Sequence, residues 1–341
     1  MNMKKKEPLY ITGHRHPDTD SIASAIAFAF FKRSMGQPAT PCRLGALNAE
    51  TSYLLDRFGF EPPQLLQDAR MKLSEITMDP PVSITPETTI YETMQIMQKE
   101  NLAYCGVVDA RNHVLGMVTK SDFSVVGLDD TARSIDILAH TPVENIRKTI
   151  NGSIVYDDPN VAVNGKVSII AMTYPEHLDR YEVEKRIVIV GADTMAQKKC
   201  IQLGAGMLII VWADTVDESV IEEAKKHHCP IIRSGHGTMN TSRYLYFAPS
   251  VERIMKKSPV LFHTNELAED VGVKMLRNRY RAYPVVDQNE QLFGYVSRYH
   301  IMNAPKRRLI LVDHNEFSQS VNAIEKSTVL EVIDHHRIND F

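Results

Sequence analysis

The four cysteines, Cys42, Cys105, Cys200 and Cys229, are scattered over 341 residues, and no CxxC pair occurs. That spacing excludes a disulfide framework and a thiolate zinc cage, so each is expected as a buried thiol. No apolar run reaches the roughly 20 residues needed to span a bilayer. Neither sign of charge predominates: 39 Lys and Arg stand against 42 Asp and Glu, for a net charge of -3. Neither nucleic acid nor an anionic membrane is therefore expected as a partner. The lysines of "MNMKKKEPLYITGH" precede an apolar stretch too short for a secretory signal, which points to a cytoplasmic protein. "KHHCP" (His227, His228, Cys229) places its donors on successive positions, which face different ways, so it is expected to be a helix end leading into a strand.

The length suggests two or three domains at about 100–200 residues each. "LYITG" is a short apolar strand, and "TDSIASAIAFAFFKRSMG" a helix with a polar N-terminus and Gly36 as terminator. "PATPCRLG" and "NAETSYLLDRFG" repeat the strand–helix order, as at the start of a parallel sheet. Residues 71–123 and 250–303 then form an internal repeat, in which "YCGVVDARNHVLGMVTKSD" aligns without gaps to "AYPVVDQNEQLFGYVSRYH". Such repeats usually pack as a pair. Between them, "IVIVGADTMAQKKCIQLGAGMLIIVWADTVDESVIEEAKKHHCPIIRS" alternates strand and helix as a separate small α/β unit. Its "GADTMAQ" has one glycine and no Lys-Ser/Thr pair, so it is no phosphate loop. "RRLILVDHNEFSQSVNAIEKSTVLEVIDHHRINDF" resumes the opening style. The economical organisation is one parallel-sheet domain interrupted by an insert of roughly 240 residues.

Three apolar strands run into ligand-type residues: "LYIT" into Gly13-His14, "LILV" into Asp313-His314, and "VLEVI" into Asp334-His335-His336. Functional groups of open α/β sheets gather beyond the carboxyl ends of the strands. If the three strands are parallel, His14, Asp18, Asp20, Asp313 and His335 share one rim. Mixed carboxylate and imidazole donors suit Mn²⁺, Fe²⁺ or Co²⁺. So many carboxylates favour two ions, about 3.5–4 Å apart, able to activate water and hold a phosphoryl oxygen.

"GHRHPDTDSIASAIA", "LVDHNE" and "VIDHHR" resemble the DHH phosphoesterase superfamily, and within it the family II, manganese-dependent inorganic pyrophosphatases. The repeats resemble CBS modules and the unit between them a DRTGG domain, with "WADTVDES" in place of the DRTGG sequence. The resemblance implies an α/β fold in which a parallel-sheet DHH domain, residues 1–65 and 305–341, is interrupted by CBS modules at 66–128 and 246–304 flanking a DRTGG-like unit at 129–245, a spacer or dimerisation element. It implies that His14 and Asp18 bind one Mn²⁺ or Co²⁺, Asp20 and His335 the other, and Asp313 both, with Mg²⁺ accompanying pyrophosphate. His336 would protonate or orient the substrate, and Asp334 would support the histidines. His16 stands where many members have Asn, at a position that is not a ligand. Family members also carry a further aspartate ligand and a C-terminal DHHA2 domain whose Lys and Arg grip pyrophosphate. Neither has a counterpart here, so the chain is expected to be a truncated form with little or no turnover alone.

CBS pairs resemble adenine-nucleotide sensors, which implies regulation by AMP, ADP or ATP bound in the micromolar range, and a homodimer through the modules. In "GMVTKSD", Thr119 would contact phosphate and Asp122 the ribose, with Lys120 also nucleotide-binding. In "GYVSRYH", Ser297 and Arg298 suit phosphate, while His300 replaces the aspartate. Tyr280 and Arg281 offer a ring and a cation for adenine and phosphate. Two other readings are another DHH-family phosphoesterase, acting on short oligonucleotides or cyclic dinucleotides, and a non-catalytic adenine-nucleotide-binding module.

Overall fold

The computed structural model describes residues 8–127, 131–171 and 175–336. The junction expected at 128–129 lies outside them. The chain divides into two compact units. One comprises residues up to 80, 261–289 and 293 onward; the other comprises 81–260 and 290–292.

The first unit is built on five parallel strands: β1 (Leu9–Thr12), β2 (Ala39–Arg43), β3 (Gln64–Leu65), β4 (Arg308–Val312) and β5 (Thr328–Ile333), in the order β5-β4-β1-β2-β3. Helices α1 (Thr19–Ser34) and α2 (Ala49–Phe58) follow β1 and β2. Leu9 and Ile11 of β1 and Ile310 and Val312 of β4 bury against Ala25 and Ala29 of α1. The alanines of "IASAIAFAF" thus let the helix lie close on the sheet. Asp18 caps α1, accepting from the Ser21 N–H at 3.0 Å, and Gly36 follows its end at φ +72°. Pairing of β1 with β4 sets Leu9 beside Arg308 and Thr12 beside Leu311, although about 300 residues separate them. The expected parallel arrangement is therefore present, and all three ligand-bearing strands open on one edge.

Arg307, 4% exposed, immediately precedes β4. Its Nη2 donates to both carboxylate oxygens of Glu75, at 3.0 and 2.7 Å, and its Nε to the Ala69 carbonyl at 3.3 Å. The guanidinium carbon lies 4.5 Å from the ring centre of Tyr10 in β1. One buried cation thus fastens the sheet to the segment that leaves it.

The opening segment of each repeat pairs with the last strand of the other. In the first unit, Asp79 exchanges backbone hydrogen bonds with Tyr295, each at 3.0 Å. In the second, Lys256 pairs with Met117 and Lys257 with Gly116. The second unit also holds a five-stranded sheet ordered Ser153–Tyr156, Ile231–Arg233, Met207–Ile210, Ile187–Val190, Val167–Ile170, antiparallel only at its first pair. Its three central strands bury Ile187, Ile189, Leu208 and Ile232 almost entirely. All four cysteines are free and buried, as expected. Burial pushes the thiols of Cys42, Cys105 and Cys229 up to about 12, which keeps them unreactive.

Arg307→Ala leaves the Glu75 carboxylate without its partner and opens a hole under Tyr10. Removing one side of such a pair costs on the order of 3 kcal/mol. The urea midpoint of the first unit is expected to fall, with Arg307→Lys in between.

Candidate metal centre

The turn after β1 is shaped by a close approach. A Cβ on Gly13 would lie 2.4 Å from the Ser21 hydroxyl, so only glycine admits α1 here. The His14 N–H donates to that hydroxyl at 3.1 Å. At the end of β4, Asp313 adopts the left-handed backbone, φ +59°, while its N–H stays bonded to the Ile333 carbonyl at 2.9 Å. This conformation is tolerated by Asp better than by most residues. It turns the chain sharply at the sheet edge.

The side chains converge on Asp313, which is 5% exposed. Its Oδ2 lies 3.5 Å from His14 Nε2, which in turn is 3.6 Å from Asp18 Oδ1. Its Oδ1 lies 3.2 Å from His335 Nε2, which is 3.4 Å from Asp20 Oδ2. His336 Nδ1 is 3.8 Å from the same Oδ1. The donor atoms of His14, Asp18 and Asp313 lie within 4.8 Å of one another, as do those of Asp313, His335 and His336. Two groups of donors therefore share one carboxylate. Asp313 Oδ2 is buried without a hydrogen-bond partner among the described residues. A buried carboxylate oxygen facing an imidazole but bonded to nothing is a costly arrangement unless a cation completes it. The donor set thus fits divalent transition ions.

Asp334 stands behind the cluster. Its Oδ2 accepts from Asn315 Nδ2 at 2.6 Å, and its Oδ1 is 2.7 Å from His336 Nδ1. Burial opposes ionisation of this carboxyl, but the hydrogen bonds from His336 outweigh it and hold the group below the usual carboxylate range. The bond to Asp334 raises the His336 imidazole in turn. The Ser21 N–H, and then His14, hold Asp18 low. His314, unassigned by the sequence, is buried between the Val312 carbonyl and the Ser320 hydroxyl, each at 3.0 Å. Burial lowers it, so it braces the 314–320 loop as a neutral ring.

In the first repeat, Asp122 Oδ2 accepts from the Thr119 N–H and hydroxyl at 2.7 and 2.6 Å, while Lys120 is exposed. In the second, Ser297 and His300 make the same turn, the Ser297 N–H donating to His300 Nδ1 at 3.0 Å. Arg298, expected at phosphate, directs Nη2 to the carbonyls of Met275 and Asn278 at 2.8 and 2.6 Å, capping the helix Ala268–Leu276. Tyr280 and Arg281 are exposed, the former edge-on to Tyr283. His227 ends the helix Glu218–Lys226 and His228 bonds Asp158 at 2.9 Å, so "KHHCP" brings no donors together.

Residues 73–126 and 251–307 match the CBS domain, and residues 145–246 the DRTGG domain. Over 98% of its length the chain is 36% identical to a cobalt-dependent inorganic pyrophosphatase of Clostridium perfringens, covering 61% of that protein. It is 28% identical, again over 98%, to a probable manganese-dependent inorganic pyrophosphatase of Thermotoga maritima, covering 62% of it. The chain belongs to the family II pyrophosphatases that carry a CBS and DRTGG insert. It spans about three fifths of the length of these two relatives. A crystal structure of the CBS and DRTGG domains of the Clostridium perfringens pyrophosphatase, complexed with its activator diadenosine tetraphosphate, is similar at a TM-score of 0.60 and 30% identity, covering 67% of this chain and all of that one. No described helix is long and apolar enough to cross a membrane.

Because Asp313 belongs to both donor groups, Asp313→Asn is expected to weaken binding of both ions, by more than ~100-fold given that even outer-shell changes cost 10–100-fold. Calorimetric titration with Mn²⁺ measures it; one unaffected high-affinity ion would show that the carboxylate serves a single group.

Proposed function

We propose that the chain supplies the two-metal centre and the nucleotide-sensing insert of a metal-dependent inorganic pyrophosphatase. The carrying observation is Asp313, whose two oxygens face separate groups of imidazole and carboxylate donors while one remains unbonded. His14 and Asp18 hold one Mn²⁺ or Co²⁺, Asp20 and His335 the other. Such ions supply Lewis acidity, lowering the pKa of water and drawing charge from phosphoryl oxygens.

The chain's own residues do the rest. Asp334, fixed by Asn315, holds His336 by Nδ1 and leaves its second nitrogen for the substrate. A raised imidazole beside a departing phosphate gives a proton to its oxygen. The sheet edge keeps these groups in register, since each donor follows a strand bonded to its neighbour. The CBS modules bind adenine nucleotides through the Thr119–Asp122 and Ser297–His300 turns, and binding favours one conformation of the chain. Support comes from the relative whose corresponding domains were solved with diadenosine tetraphosphate. The protein acts in the cytoplasm as a homodimer.

Phosphate release from pyrophosphate with Mn²⁺ or Co²⁺ tests the reaction. The expected outcome is metal-dependent release, reduced at least ~100-fold by Asp313→Asn. Faster cleavage of a linear dinucleotide would favour a different phosphoesterase, and release that Asp313→Asn leaves unchanged would overturn the reading. Calorimetry with AMP and ADP is expected to show micromolar binding; its absence removes the regulatory part alone.

A further inference from the structure

Beside the donor cluster lies a polar cleft of about 750 Å³, and the turn that supplies His14 lines it with the next two residues as well. Arg15 and His16 take no part in the cluster. Arg15 is held in place: its N–H donates to the Gln319 carbonyl at 2.7 Å, and its Nη2 to Asn322 Oδ1 at 2.8 Å and the Ser320 carbonyl at 3.3 Å. Its carbonyl lies where Gly45 leaves room, 2.6 Å from where a Cβ would be. The guanidinium has five N–H donors, and only one of its nitrogens is engaged among the described residues. His16 is exposed and makes no hydrogen bond or ion pair among the described residues.

The carboxylates of the cleft are otherwise occupied. Asp334 is bonded by Asn315 and His336, and Glu316 accepts from the Ser318 hydroxyl at 3.2 Å. Free donors thus collect on one wall, next to a cluster that itself attracts cations. A positioned guanidinium with an imidazole beside it suits a tetrahedral oxyanion, since the fork can take two of its oxygens.

We propose that Arg15 and His16 form a recognition subsite for a phosphoryl group, the one that the ions at Asp313 leave least neutralised. This rests on the pyrophosphate reading above.

Methylenediphosphonate, which is not hydrolysed, and inorganic phosphate serve as probes in calorimetric titrations of the Mn²⁺-loaded chain. Arg15→Gln is expected to weaken diphosphonate binding at least tenfold and His16→Ala several-fold, with Mn²⁺ affinity unchanged. Arg15→Lys should recover part of the loss, which separates charge from the bond to Asn322. His16 has no partner to lose among the described residues, so its variant reports recognition and not folding. Wild-type affinity in both variants overturns the subsite and leaves the pyrophosphate reading standing. A wild-type chain that takes up Mn²⁺ but neither probe overturns the pyrophosphate reading itself. Equal loss for phosphate and diphosphonate places the subsite on the first phosphoryl group, contrary to the proposal.

Discussion

The pairing of β1 with β4 and of β4 with β5 is the constraint on which the site depends. His14 and Asp313 stand about 300 residues apart in sequence, yet their strands are neighbours with a fixed register. Closing so long a loop costs surprisingly little, because the entropy grows only with the logarithm of length. What the pairing requires is that the insert return the chain to where it left. Arg307 sits at that return point. It grips Glu75 and the Ala69 carbonyl from the outgoing segment and stacks on Tyr10 of β1. The same residue therefore bears on the strand before His14 and leads directly into the strand before Asp313. Any displacement of the 69–75 segment must either carry this cation along or strip its carboxylate from it.

Asp313 shows what the sheet edge imposes on chemistry. A strand that simply continued would have sent its side chain to one face. The left-handed turn at φ +59° instead ends the strand while its N–H still bonds β5. The carboxylate is then presented along the edge, with one oxygen toward the residues after β1 and the other toward those after β5. Such a conformation costs of order 1 kcal/mol or more in a residue other than glycine. It is offset by a geometry in which one acidic group can serve two cations. Burial sharpens the same point, since an exposed carboxylate would be screened by water and would bind either ion less firmly.

Much of this was legible in the residues. The apolar strands ending in His or Asp, the alanine-rich helix and the repeat each carry a pattern over several positions, and the parallel sheet follows from them. Arg307 was not legible: in "APKRRLIL" nothing separates it from Arg308, and only burial tells them apart. The exchanged pairings at Asp79 and Lys256 were hidden for another reason. One or two residues in a ladder have no periodicity to read. Arg298 stands where a cation suits phosphate and a helix C-terminus equally well, and its bonds to the Met275 and Asn278 carbonyls depend on where the Ala268–Leu276 helix ends. His314 resembled a ligand less than its neighbours did, and its position between a carbonyl and a hydroxyl appears only in three dimensions.

The two repeats also explain why near-identity of motif is not identity of chemistry. In the first, Asp122 accepts from Thr119 and has Lys256 at 3.7 Å. In the second, His300 accepts from Ser297 through Nδ1 and has Asp79 at 3.7 Å from Nε2. The charges are exchanged at matching places: Lys256 pairs with Met117, and Asp79 with Tyr295, the position that aligns to it. A backbone N–H donating to Nδ1 leaves the proton of a neutral ring on Nε2. The first turn therefore ends in an acceptor and the second in a donor, although their backbones are bonded alike. Two turns with one geometry thus present opposite hydrogen-bonding faces, and substitution of carboxylate by imidazole at a single position is enough to separate them.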